Sequence, residues 1–261
     1  MPSGKKARGR KNRAKKEATR NADLRTLWEP TLLCDNSGVK NTTTSPCEHV
    51  LVALPPIPRD GPVVSFMNCL ASEGLFNGAT DFTGNPIDLC LQPLSRFPEV
   101  AEEESERSLA IDLLLRFIRN TFVHDALVEG EKWFHYRALN EVMICIMIKV
   151  LELVETYSIP IDVRRRVAKI GNRLGGSNNC RDVVKFVSKR LPCSCLKKLH
   201  RAARKKVVKM GQCFGCDKTF PRSQLYVCTG CNHNVYCSRE CQRGDWSRHK
   251  EVDGCGIPRG K

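Results

Sequence analysis

The sequence predicts a mainly α-helical chain that opens on a disordered basic arm and closes on a small cysteine-built module. Three observations predict it. Apolar residues recur at helical spacing between Glu102 and Lys209. Seven cysteines and the well-spaced His249 fall within the 43 residues from Cys213 to Cys255. The first 26 residues carry a run of Lys and Arg with no apolar periodicity. A chain of 261 residues has room for one ordinary domain and one small module. The division read from composition is an arm and linker over 1–45, a helical domain of unassigned role over 46–210, and the cysteine module over 213–255.

The arm begins Lys5-Lys6-Ala7-Arg8-Gly9-Arg10-Lys11-Asn12-Arg13, and residues 1–25 hold ten Lys/Arg against Glu17 and Asp23. Such a run serves nuclear import or phosphate contact, or it is only a solubilising tail. No aromatics interleave with its arginines, which argues against stacking on single strands. The helical domain opens with Pro55, Pro56, Pro58, Pro62, Pro86, Pro93 and Pro98, which predict extended, irregular connections. Within that stretch a short strand is expected over Val50–Leu54 and a short helix over Val63–Ala71. Leu109, Leu113 and Phe117, with Leu114 and Ile118, then form one helical stripe.

A long helix follows over Glu131–Tyr157, with Trp133, Tyr136, Leu139, Val142, Met143, Ile146, Val150, Leu153 and Val154 facing the core and Pro160 stopping it. Further helices are expected over Val163–Leu174 and Asn179–Lys189, separated by Gly175-Gly176. A basic helix from Leu196 to about Lys209 would run straight into the cysteine module, with cations around most of its circumference. It reads either as a solvated spacer or as a source of positive charge beside anionic metal–sulfur shells.

The cysteine module reads C-F-G-C, eleven residues, C-T-G-C, five residues, C-S-R-E-C, seven residues, then His249 and, after five more, Cys255. Thiolate is the ligand zinc takes in structural sites, and four N/S ligands close a tetrahedral shell. Cys213, Cys216, Cys228, Cys231, Cys237, Cys241, His249 and Cys255 therefore complete two shells. Two-residue gaps suit a tight knuckle with both sulfurs on one metal. Cys237 and Cys241 stand one helical turn apart, Ser238 is a good N-cap, and Glu240 suits the first turn. His249 lies about two turns beyond Cys241, near the same helical face. His233 competes for the ligand role but sits among turn residues. A disulfide framework is disfavoured by the metal-like spacing, and a RING cross-brace by the histidine coming seventh. A third site from Cys47, His49, Cys193 and Cys195 is conceivable, although one-residue gaps strain a tetrahedron.

This order and spacing, with Tyr236 before Cys237 and the segment Cys241-Gln242-Arg243-Gly244-Asp245-Trp246 before His249, resembles the MYND zinc finger. The chain departs from the family in having five residues, not three, between the histidine and the last cysteine. The resemblance implies a cross-braced module of short β hairpins and one helix, with interleaved pairing. One ion takes Cys213, Cys216, Cys237 and Cys241; the other takes Cys228, Cys231, His249 and Cys255. It also implies an adaptor that holds proline-rich partner segments in a shallow groove framed by Gln242 and Trp246. Beyond the finger, the basic start, Leu27-Trp28-Glu29-Pro30 and Pro192-Cys193-Ser194-Cys195-Leu196 look like MYND-finger proteins of expanded families in diatom-type algae.

Both shells are complete, so no open metal position is expected, and no Walker loop, G-x-S-x-G or H-E-x-x-H stands in the chain. No cofactor segment of the SET methyltransferases linked to some MYND fingers is found. The expectation is no enzyme. The start leads into charge rather than an apolar stretch, and Val142–Ile148 is too short to span a membrane. An intracellular protein is therefore expected, in nucleus or cytoplasm, with the basic arm favouring the nucleus. Seven thiolates and two Zn²⁺ would bring the formal charge of +15 to +12, so a basic excess persists. That excess supports an alternative reading, in which the arm and the ten Lys/Arg of 185–210 contact nucleic acid.

Overall fold

A computed structural model describes residues 4–33, 57–76, 86–128, 138–154, 167, 174, 180–191, 193–253 and 255. The helices are α1 (Gly4–Arg25), α2 (Glu29–Leu33), α3 (Pro62–Ser72), α4 (Pro86–Arg96), α5 (Glu99–Glu102), α6 (Glu104–Val128), α7 (Ala138–Leu153), α8 (Cys180–Ser188) and α9 (Ser194–Lys206). Strands β1 (Met210–Gln212), β2 (Thr219–Pro221), β3 (Tyr226–Val227) and β4 (Val235–Tyr236) follow, then α10 (Arg239–Gly244) and α11 (Trp246–Asp253). Two separate apolar clusters result, one among the helices and one in the cysteine module.

The helical core is built around α6 and α7. The stripe read from sequence is buried at Leu113, Leu114, Phe117 and Ile118, with Leu109 at its margin. Residues 141–148 of α7 are buried without interruption, because α4, α6 and α8 pack around them. Helix α7 falls within the expected Glu131–Tyr157, with Val154 just past its end; Trp133, Tyr136 and Pro160 lie outside the described residues. The expected strand Val50–Leu54, most of Val163–Leu174, and Gly175-Gly176 also lie outside them. No helix among the described residues is long and apolar enough to cross a membrane.

Four expectations are corrected. Residues 4–25 form α1 where a disordered arm was expected: Ala, Lys, Arg and Glu favour helix by themselves. The missing apolar stripe shows as exposure of residues 11–23. The packed body also reaches into the expected arm and linker. Trp28 is fully buried and donates from Nε1 to Asn68 Oδ1 at 2.9 Å, while Asn120 Nδ2 donates to the Thr31 carbonyl at 2.7 Å. A large indole with a satisfied N–H is a strong anchor.

Third, three of the prolines, Pro62, Pro86 and Pro93, sit in helices; Pro58 lies in irregular chain and Pro98 in the turn before α5, as expected, and Pro55 and Pro56 lie outside the described residues. Pro62 occupies the first turn of α3, where its missing N–H costs nothing, Pro86 opens α4, and Pro93 lies within it. Last, α9 is no solvated spacer. Leu196 and Ala203 are buried, Leu199 and Ala202 pack beside them, and the helix lies on α8 and α6. It stops at Lys206, and extended chain leads into β1.

Candidate metal centre

Two antiparallel hairpins carry the first four cysteines. β1 pairs with β2 in the register Gly211↔Phe220, and β3 pairs with β4 in the register Val227↔Val235. Each hairpin ends in a knuckle of the same construction. In the first, Cys213 N–H donates to Lys218 O at 2.9 Å and Asp217 N–H returns to Cys213 O at 2.8 Å. In the second, Cys228 N–H donates to Asn234 O at 2.9 Å and Asn232 N–H returns to Cys228 O at 2.8 Å. The residue after each second cysteine, Asp217 or Asn232, takes a left-handed φ of 55°. Asp and Asn tolerate that region better than other side chains, so the knuckles close without glycine there.

The next two ligands come from the start of α10. Ser238 caps it, its Oγ accepting from Cys241 N–H at 3.2 Å, and Glu240 sits in the first turn as expected. One correction falls here. The eight residues from Cys241 to His249 are not one continuous helix: Asp245 caps α10, and α11 starts at Trp246. The break turns His249 away from Cys241 and toward the second knuckle.

The structure brings the eight residues together in two groups. Cys213, Cys216, Cys237 and Cys241 form one; Cys228, Cys231, His249 and Cys255 form the other; within each, the donor atoms lie within 4.8 Å of one another. Sulfur separations are 3.7 Å for Cys216–Cys237, 3.4 Å for Cys237–Cys241 and 3.6 Å for Cys228–Cys255. The edge of a zinc–sulfur tetrahedron with bonds of about 2.3 Å is about 3.8 Å. With a zinc–nitrogen bond of about 2.0–2.1 Å, a sulfur–nitrogen edge is about 3.6 Å. Cys231 Sγ and His249 Nε2 stand 3.6 Å apart. The donor sets therefore fit tetrahedral zinc and interleave the hairpins with the helices.

Electrostatics point the same way. Burial pushes the Cys213 thiol up, but the N–H groups of Cys237, Gly215 and Cys216 outweigh it and hold it at about 7. At Cys228 burial is outweighed by the Cys231 N–H, the His249 ring and the Gly230 N–H, which hold that thiol at about 6. Cys237 is pushed up to about 12, first by its bond with Cys241, and Cys255 to about 12 by burial and then Cys228. Sulfurs so crowded cannot all be thiolates unless a cation shares them.

Residues beyond the ligands complete the frame. Tyr236 is fully buried and donates to Asp245 Oδ2 at 2.8 Å, and Asp245 accepts from Arg248 Nε at 2.5 Å. The tyrosine before Cys237 and the aspartate before Trp246 are thus two halves of one hydrogen bond spanning the helix break. Sequence reading recorded both as pattern without that role. Gly215, which touches Cys241, read only as part of the C-F-G-C knuckle, and Asn234, which touches His249, only as a turn residue. His233 is in neither group, and its N–H donates to Cys231 Sγ at 3.4 Å. Cys193 is buried and its sulfur caps α9 by accepting from Leu196 N–H at 3.4 Å; Cys47 and His49 lie outside the described residues, as does Gly254. Trp246 and His249 pack edge-to-face with centroids 5.9 Å apart, yet Trp246 stays 43% exposed; Gln242 is half-buried on α10.

Interleaved four-ligand groups on two knuckles and a broken helix define a cross-braced double-zinc finger. Residues 204–252 match the family model described as MYND finger, so the chain carries a MYND-type finger holding two zinc ions. Cys255 lies beyond the matched segment, and its place in the second group rests on the structure alone. No curated protein and no solved structure matches the chain. MYND fingers commonly mediate protein–protein interaction.

The two sites differ in exposure. All four ligands of the second are buried, whereas Cys216, Cys237 and Cys241 of the first are partly open. Thiolate attack by chelators and oxidants follows access. Under limiting chelator the first zinc should leave at least about tenfold faster than the second. Stopped-flow release with a chromogenic chelator should therefore be biphasic, with the fast phase lost in a Cys237→Ser chain.

Proposed function

We propose that this chain is an intracellular adaptor without catalytic activity, whose finger receives an extended, proline-rich segment of a partner protein. The observation that carries this is the exposed apolar surface of an otherwise metal-fixed module. Trp246 is 43% exposed, and β3 offers Tyr226 at 62% and Val227 at 42%. Gln242, on α10, supplies an amide to orient a backbone. A rigid surface that meets a polyproline segment already extended loses little entropy on binding. Both zinc shells are closed, so the metal supplies shape rather than reactivity. Nuclear placement belongs to the same proposal and is motivated by the basic start of the chain.

The test is a panel of P-x-L-x-P peptides titrated against the zinc-loaded full chain. A tryptophan anchor removed from such a contact costs on the order of 2 kcal/mol, roughly 30-fold in Kd. Trp246→Ala should show that loss while zinc content stays at two per chain. No saturable peptide binding, or binding that Trp246→Ala leaves intact, would remove the reading.

A second reading is favoured by the buried face of α9. Because Leu196 and Ala203 point inward, Lys197, Lys198, Arg201, Arg204 and Lys205 are presented together to solvent. None of the five is in an ion pair among the described residues. Of the five, Arg204 also acts on His200, whose pKa is lowered first by burial and then by Lys185, Arg204 and Arg181. Like charges four apart cost helix stability, so the patch calls for a polyanion, and duplex phosphate fits a helix face without aromatics. Five phosphate contacts would give a slope of about −4.5 in log K against log salt. Changing all five to Gln should flatten that slope; an unchanged slope would dismiss the patch.

A further inference from the structure

His249 is fully buried, and its two ring nitrogens face different neighbours. Nε2 stands 3.6 Å from Cys231 Sγ, inside the second four-ligand group. Nδ1 stands 2.8 Å from the carboxamide of Asn234, which is itself fully buried. A neutral imidazole carries one ring proton. When Nε2 is the ligand atom, that proton is on Nδ1, and a buried N–H requires an acceptor. An amide nitrogen cannot accept it, but an amide oxygen can. A half-turn of the carboxamide about Cβ–Cγ exchanges oxygen and nitrogen with almost no change of shape.

We propose that Asn234 is the positioning residue of the second zinc site: its Oδ1 accepts from His249 Nδ1–H and so directs Nε2 to the metal. The packing of the ring shows why such a bond is needed. Tyr236 and Trp246 meet His249 edge-on, at centroid distances of 6.1 and 5.9 Å and interplanar angles of 73° and 64°. Those contacts fix the plane of the ring. They do not distinguish an imidazole from the same imidazole turned over, because carbon and nitrogen edges have nearly equal shape. Besides the metal itself, a directional hydrogen bond makes that choice.

Asn234 is well placed to make it, since its backbone is tied to the same site at both ends. Its N–H donates to Cys231 Sγ at 3.4 Å, and its carbonyl accepts from Cys228 N–H at 2.9 Å. The left-handed Asn232 two residues earlier closes the turn that delivers it. One short loop therefore supplies two sulfur ligands and the group that orients the third ligand. The fourth, Cys255, comes from beyond α11.

The test uses the zinc-loaded full chain and two readouts. In a ¹⁵N-labelled sample, long-range ring correlations should show His249 Nδ1 protonated and Nε2 metal-bound. A protonated Nε2 would overturn the proposal. The second readout is zinc affinity by competition with a chelator. Asn234→Leu keeps the branched outline and removes the acceptor, and should weaken one of the two sites about 10- to 100-fold. In a His249→Cys background the shell is all thiolate and has no ring to orient. There the same Asn234→Leu change should alter affinity by no more than about threefold. Equal losses in both backgrounds would mean that Asn234 only holds the loop, and the proposal would fall. Should the variants fail to fold, the ring assignment in the unaltered chain decides alone.

Discussion

Exhaustive chelation should unfold residues 210–255 and leave the helical body intact. The finger's apolar cluster is too small to stand without metal. Among the described residues, Leu225, Val235 and Tyr236 are the only buried apolar side chains in it apart from the zinc ligands. Strands of two or three residues supply few backbone bonds to replace what is lost. Structural zinc contributes on the order of 10–16 kcal/mol of apparent folding free energy at neutral pH. The helical cluster has its own core around Trp28, Phe66, Leu113, Ile118 and Ile146 and owes nothing to the metal. Hydrogen exchange followed by mass spectrometry would resolve the two. Peptides from β1 to α11 should lose protection completely with chelator, while those from α3, α6 and α7 should be unchanged. Retained protection in the finger would show that packing alone holds it.

A second large effect is confined to one methyl group. Gly215 lies between the two sulfurs of the first knuckle, against the start of α10. A Cβ built there would stand 2.4 Å from the Cys241 carbonyl oxygen and 2.9 Å from its carbonyl carbon. These are backbone atoms of a ligand that Ser238 already caps, so they have little room to yield. Overpacking costs about 1–3 kcal/mol in ordinary cores, and contact with rigid backbone belongs at the upper end. That corresponds to roughly 100-fold weaker zinc at the first site. The second site should keep its metal. Gly244→Ala is the matched control, because its Cβ would meet nothing within 4 Å. Zinc titration of both variants checks the pair: one site lost for Gly215→Ala, and two retained for Gly244→Ala.

The two predictions mark where the sequence could be read and where it could not. Zinc-binding residue types were legible because thiolate chemistry demands particular side chains at short local spacing, and knuckles keep both within four residues. The Ser238 cap was legible for the same reason. Pairing was not. Spacing alone put His249 on the face of Cys241, and only the resemblance to a known family interleaved the ligands. The break that decides between them sits at Asp245, fixed by a hydrogen bond to Tyr236 nine positions back. The roles of Gly215 and Asn234 were invisible because each acts through contact with a remote segment, not through any local pattern.

Among the helices the same division appears. Apolar stripes located α6 and much of α7, since periodicity reflects one buried face. Basic residues on α9 hid the Leu196–Ala203 seam, so the helix read as solvated although one side is packed. Trp28 looked like part of a linker, as nothing local announces Asn68 as its partner 40 residues away. Prolines suggested irregular chain, whereas Pro62 and Pro86 mark helix starts, where a missing N–H is harmless.

Native mass spectrometry on the full chain and on single-ligand variants bears most directly on the two interleaved sites. The unaltered protein should carry two zinc ions. Cys237→Ser and Cys228→Ser should each bind one, and the chain with both changes should bind none. Pairing in sequence order would instead put Cys213, Cys216, Cys228 and Cys231 on one ion, and a Cys213→Ser, Cys228→Ser chain would keep a zinc that interleaved sites must both lose. A single zinc in the unaltered protein, or one surviving in that double variant, would contradict the architecture described here.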